Sequence, residues 1–177
     1  MTAGSDGVSG NGEIASTGID GLDSILMGGF ARRRLYLIEG APGSGKTTLA
    51  TQFLLDGVRR NEPVLYVTLS ETGEEMQAVA ASHAWDTSRM KIRELAPSDS
   101  LDPDDQYTMF QPSEIELAAT TKLILADVLE LNPKRVVFDS LSELRLVAGN
   151  ALRYRRQILA LKPVSYTHLT LPTICSV

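Results

Sequence analysis

Residues Arg34–Leu54 read RLYLIEGAPGSGKTTLATQFL, and the stretch changes character twice. RLYLIEG is a compact apolar run, the mark of a strand buried on both faces of a parallel sheet. From Thr47 onward, Leu49, Ala50, Phe53, Leu54 and Val58 recur at helical spacing. Between them lies GAPGSGKT, which fits G-x-x-x-x-G-K-[ST] at every fixed position: Gly40, Ala41, Pro42, Gly43, Ser44, Gly45, Lys46 and Thr47. Gly40, Gly43 and Gly45 let the backbone curl until successive N–H groups point inward, and the helix opening at Lys46 adds its positive end. The product is a cradle for phosphate. In it Lys46 reaches toward the β and γ phosphates of a nucleotide, and the Thr47 hydroxyl is the expected Mg2+ ligand. Thr48 has two readings, a contact to the α phosphate or a helix hydroxyl bonded to its own backbone. A chance match in a glycine-rich turn needs no particular neighbours, whereas this one follows a buried strand and opens an amphipathic helix, as phosphate binding requires.

Outward from this unit, strand and helix patterns alternate. VLYVTLS, 64–70, is a second buried strand, and GEEMQAVAASHAW, 73–85, a second helix. KIRELA reads as a short strand, followed by a polar, acidic connection over 97–111. A long helix is expected from Ser113 to about Asn132, opened by a capping box of Ser113 and Glu116, with Leu117, Ile124, Val128 and Leu131 on its apolar face. RVVFDS is a third buried strand, and ALRYRRQILALK a further helix. Such alternation predicts an α/β fold with a mostly parallel sheet flanked by helices. Residues 1–15, rich in Gly, Ser and Thr, are expected to form a disordered tail, followed by a short helical patch that ends at Gly28 and Gly29.

Composition narrows the function. The 177 residues are 43% hydrophobic and 22% charged, enough for one domain with an ordinary core. No apolar run approaches the ~20 residues of a membrane span, and the start lacks the basic and apolar regions of a signal peptide, so a cytoplasmic protein is expected. A net charge of −5 argues against a general nucleic-acid binder. The single cysteine, Cys175, leaves no disulfide framework and no cysteine-based zinc site, so metal chemistry falls to oxygen ligands.

Two carboxylates complete a candidate hydrolytic site. Asp139 ends the run RVVFD, at the carboxyl edge of a parallel sheet where ligands collect, and is the candidate second metal ligand. Its alternative is a cap for the following helix, a role open equally to Ser140. Glu71 follows VLYVTLS at the same edge and is the candidate to polarise an attacking water. Its alternative is a first-turn glutamate favoured by the helix dipole. Elsewhere, His83 and Trp85 read as the packed end of a helix, the Arg153–Gln157 cluster as a solvated helix face, and Tyr107, Met109 and Phe110 as part of a loop folded onto the core.

STGIDGLDSILMGGF, RLYLIEGAPGSGKTTLATQFL, VLYVTLSET and RVVFDSLSELR together resemble the KaiC branch of the RecA-like ATPases, over about Ser16 to Lys162. The resemblance implies a RecA-like P-loop fold, Mg2+-dependent ATP hydrolysis, and homo-oligomeric rings, usually hexameric, with nucleotide between subunits. Some members also phosphorylate themselves on Ser or Thr, in signalling or circadian-type regulation with a protein partner. Lys46 and Thr47 match the Walker A pair and Asp139 the Walker B aspartate. KaiC has two adjacent glutamates after the second strand, the first usually taken as the base; here Ser70 holds that place and Glu71 the next. The resemblance also implies further strands after the last helix. Instead, VSYTHLTLPT, 164–173, back-translates to a string resembling a sequencing-library adapter. The expected organisation is therefore a tail over 1–15, an incomplete ATPase domain over 16–163 with its C-terminal strands missing, and an adapter-derived tail over 164–177. Two other function classes stay open: a RadA-like DNA recombination or repair ATPase, which DNA-stimulated turnover would reveal, and a nucleotide-gated scaffold with little hydrolysis.

Overall fold

A computed structural model describes residues 14–69, 71–95, 112–142, 152, 155 and 173–176, with backbone alone for 112–121 and 173–176. In chain order the elements are β1 (Ile14–Ala15), α1 (Asp20–Ile25), β2 (Phe30–Ala31), β3 (Leu35–Ile38), α2 (Lys46–Arg59) and β4 (Val64–Thr68). They continue with α3 (Gly73–Ser82), β5 (Lys91–Glu94), α4 (Pro112–Leu131), β6 (Arg135–Asp139) and β7 (Thr173–Ser176). β1 and β2 form a small antiparallel pair. The other five strands build one parallel sheet in the order β3-β7-β6-β4-β5, so the α/β reading holds.

The two central strands, β4 and β6, are buried on both faces, whereas β3, expected to be equally buried, is only half-buried and leaves Leu37 exposed. Val64 and Tyr66 on β4, with Val137 on β6, pack with Ala50, Phe53 and Leu54 of α2. Leu65 and Val67, with Val136 and Phe138, pack on the opposite face with Ile124 and Val128 of α4. Two of the residues expected on α4's apolar face, Ile124 and Val128, are thus core, and Leu131 is half-buried. The Ser113 capping box and Leu117 lie outside the described side chains, as do Tyr107, Met109, Phe110 and most of the basic cluster; Arg155 is exposed. His83 caps the C-terminal end of α3 and is exposed, its ring stacked on that of Trp85 at 4.4 Å.

Two expected boundaries shift. Ile14 and Ala15, read as tail, belong to the fold: they pair with β2 as β1, and Ala15 is buried. Gly29 makes this possible, since it adopts φ 130° and a Cβ there would overlap the Ala15 carbonyl. The second shift concerns 164–177, expected to stand apart from the fold. Thr173–Ser176 instead form β7, in parallel register with β3 on one side and β6 on the other. The physical reason is the gap itself: β3 and β6 present facing rows of N–H and C=O groups, and an extended segment between them satisfies both. Among the described residues, no helix is long and apolar enough to cross a membrane.

At the other end of the strands, Arg135 anchors the sheet to α2 and to the N-terminal segment. Its side chain is fully buried and donates to Glu62 Oε2 (2.6 Å), Asp56 Oδ2 (3.0 Å) and the carbonyls of Ser16 (2.8 Å) and Phe53 (2.7 Å). Asp23 knits the same segment: Oδ1 accepts from the Thr17 N–H and hydroxyl, and Oδ2 from the Ser16 hydroxyl, all at 2.7 Å. In the STGIDGLD motif, Ser16 and Thr17 are therefore bonded back to Asp23 at the start of α1.

Candidate functional site

The loop 40–45 joins β3 to α2 at the carboxyl end of the strands. Gly43 and Gly45 take positive φ, 77° and 88°, and Gly45 in this left-handed conformation is the N-cap of α2. With no side chain capping the helix, its first N–H groups remain directed at the cradle. Lys46 Nζ lies across the loop, donating to the carbonyls of Gly40 (2.9 Å) and Ala41 (3.2 Å). Ala41, Pro42, Gly43, Ser44 and Gly45 are exposed, and Thr48 is half-buried in the first turn of α2. The hydroxyl back-bond considered for Thr48 is seen at Thr51, which donates to the Thr47 carbonyl at 2.8 Å.

Thr47 and Asp139, 92 residues apart, meet here: the Thr47 hydroxyl donates to Asp139 Oδ2 at 2.7 Å. The sheet fixes that meeting. Asp139 is in register with Thr68 of β4 and shares a face with Val137, the face on which α2 lies. A threonine hydroxyl and a carboxylate at the mouth of a phosphate cradle are hard oxygen donors, a set that fits Mg2+, which needs few protein ligands when it arrives with phosphates. Among the described residues, no group of three or more His, Cys, Asp and Glu could hold a metal.

Glu71 lies just outside α3. Thr72 is the N-cap, with a complete capping box to Glu75, and the acidic residues of the first turn are Glu74 and Glu75. The helix-dipole role weighed for Glu71 thus falls to those two. Thr68 pins the Glu71 backbone, its hydroxyl donating to the Glu71 carbonyl (2.8 Å) and accepting from its N–H (3.0 Å). Glu71 Oε2 is buried without a hydrogen-bond partner among the described residues. Burial, then the charges of Asp139 and Glu75, push its carboxyl above the usual range. Ser70 lies outside the described residues.

The sequence reading missed Tyr66. This buried β4 residue donates its hydroxyl to the same Asp139 Oδ2, also at 2.7 Å. Burial, followed by the Asp139 charge and this bond, pushes the phenol far up, so it remains a protonated donor. The signal was available: a lone phenol within a doubly buried aliphatic strand needs a partner for its O–H. The Thr72–Glu75 capping box was equally legible as T-x-x-E ahead of an apolar helix.

A family model described as the KaiC ATPase matches residues 15–169. The chain belongs to the KaiC ATPase family. It is 32% identical over 161 residues to a UPF0273 protein of Aeropyrum pernix, covering 84% of this chain and 61% of that protein. It is 33% identical over 137 residues to a UPF0273 protein of Thermotoga maritima, covering 72% and 55%. The circadian clock oscillator protein KaiC of Picosynechococcus is 32% identical over 139 residues, covering 78% of this chain and 25% of that protein. The chain thus spans about half the length of the curated UPF0273 relatives it matches. Membership in the KaiC family makes this a P-loop ATPase domain with the RecA-like fold.

Proposed function

We propose that this KaiC-family domain binds ATP with Mg2+ and hydrolyses it, as part of a homo-oligomeric ring in the whole protein. The observation that carries the reading is the 2.7 Å bond between the Thr47 hydroxyl and Asp139 beside the Lys46 loop. Lys46 has two loop carbonyls as its partners, which nucleotide phosphates would replace with charge-assisted bonds. Thr47 would hold Mg2+ directly and Asp139 would hold it through water, and the ion would supply positive charge against the β and γ phosphates. Glu71 is the proposed base. It orients a water and takes its proton as the water oxygen bonds to the γ phosphorus; the bond to the β–γ bridging oxygen breaks, leaving ADP and phosphate. Its buried, unpartnered Oε2 supports that role, and a raised carboxyl pKa brings a base closer to its working pH.

The narrower activity, Ser/Thr autophosphorylation in signalling, rests on the resemblance to the KaiC family alone. It predicts phosphate retained on the protein rather than released. For hydrolysis the test is steady-state turnover of parent and Glu71→Gln. The substitution should leave ATP affinity in place and lower turnover about 10²–10⁴-fold, the range for a general base. Equal turnover in both would remove Glu71 from the chemistry.

A further inference from the structure

Tyr66 and Thr68 sit two residues apart on the face of β4 that looks toward α2. Thr68 fixes the backbone of Glu71, and Tyr66 reaches the carboxylate of Asp139. One strand face therefore holds the Glu71 backbone through Thr68 and the Asp139 carboxylate through Tyr66. Asp139 Oδ2 receives two donors at 2.7 Å, the Thr47 hydroxyl from α2 and the Tyr66 hydroxyl from within the sheet. Held from two sides, the carboxylate cannot turn about its Cβ–Cγ bond without breaking one of these bonds. The Tyr66 ring is fully buried, packed in the cluster of Phe53, Leu54 and Val137.

We propose that Tyr66 is a positioning residue for the metal side of the nucleotide site: its hydroxyl orients Asp139 so that Asp139 and Thr47 together receive the Mg2+ that accompanies the phosphates. The inference rests on the nucleotide reading above and deepens it. Partners of this kind, one bond removed from the metal ligand, typically change metal affinity about 10–100-fold when removed. A purely structural tyrosine would have a different signature. Its ring fills the core, and loss of its hydroxyl would weaken every mode of nucleotide binding alike or none. An orienting hydroxyl acts only when the metal is present.

The test is calorimetric titration of the full chain and of Tyr66→Phe with the ATP analogue AMP-PNP, in excess Mg2+ and again in EDTA. Phenylalanine keeps the ring and removes the donor. The expected result is an affinity in EDTA within about twofold of the parent and an affinity in Mg2+ weakened about tenfold or more. In an Asp139→Asn background, where the carboxylate is already gone, Tyr66→Phe should change the Mg2+ affinity by less than about twofold, the non-additivity of two groups in one network. Equal losses in Mg2+ and in EDTA, no loss in either, or a Tyr66→Phe chain that does not fold would each make the hydroxyl structural and overturn the proposal. A parent that binds AMP-PNP in neither condition would contradict the nucleotide reading itself and this inference with it. A parent that binds, with an unchanged ratio in the variant, contradicts this inference alone.

Discussion

Glu71 carries a buried carboxylate oxygen with no partner among the described residues and two acidic neighbours, Asp139 and Glu75. Burial and then those charges raise its pKa in the folded state. A carboxyl with a raised folded pKa contributes stability that is complete below its unfolded value of about 4.3 and is lost as pH rises through the folded value. At neutral pH the ionised side chain therefore works against folding. Glu71→Gln should melt at a higher temperature than the parent near pH 7.5, with the two converging toward pH 4 as the parent glutamate takes up its proton. Calorimetric melts at both pH values check this. A variant that melts lower at neutral pH, or a difference independent of pH, would mean that Glu71 has a stabilising partner. Together with the predicted loss of turnover, stability gained while activity is lost is the behaviour expected of a residue kept for chemistry.

At the scale of elements, the helix after the phosphate loop is shaped by its far end as much as by its first turn. Gly57 lies inside α2, where alanine is favoured by about 1 kcal/mol on propensity. A Cβ there would stand 2.9 Å from Arg135 Cδ and Nε and 2.9 Å from Val64 Cγ1. Arg135 cannot move aside cheaply, because its guanidinium is bonded to Glu62, Asp56 and two carbonyls and lies 4.8 Å from the centre of the Phe53 ring. Gly57→Ala should therefore destabilise by about 1–3 kcal/mol, the usual cost of overpacking, despite its helical preference. Urea denaturation measures it, and a neutral or stabilised variant would show that the Arg135 anchor yields.

The same elements explain what the sequence disclosed. The phosphate loop, α2, β4 and β6 were legible because a glycine pattern and two periodicities mark them in the sequence, and Thr47 and Asp139, picked out from them, are a pair the structure brings together. Arg135 was not, since a basic residue at the start of a strand looks solvated until Glu62, Asp56 and the Ser16 carbonyl arrive from elsewhere in the chain. Tyr66 was hidden for a similar reason: its function depends on the register Tyr66↔Val137, which puts Asp139 within reach of its hydroxyl.

Across the whole molecule, the parallel sheet depends on the segment least readable from sequence. β7 supplies the registered neighbour of β3, the strand that delivers the phosphate loop, and it also pairs with β6, the strand that delivers Asp139. Read from the sequence as adapter-derived, the segment is expected to add nothing to the fold; its position between β3 and β6 says the reverse. Truncation before Val164 should leave β3 and β6 with unpaired backbone, lowering the denaturation midpoint and increasing binding of the dye ANS. Unchanged midpoint and dye binding would mean that β3 holds its place through α2 packing alone. The central claim is that Lys46, Thr47 and Asp139 form one site for a nucleotide with its Mg2+. Its most direct test is calorimetric titration of Mg·ATP into the full chain and into Lys46→Ala. Among the described residues Lys46 donates to two carbonyls of an exposed loop, so the fold should survive the substitution. Loss of charge-assisted bonds worth about 1.5–3 kcal/mol should weaken affinity roughly 10–150-fold. Saturable binding in the parent with that loss in a folded variant is the predicted result; equal affinity in the two, or no binding by the parent, would contradict it.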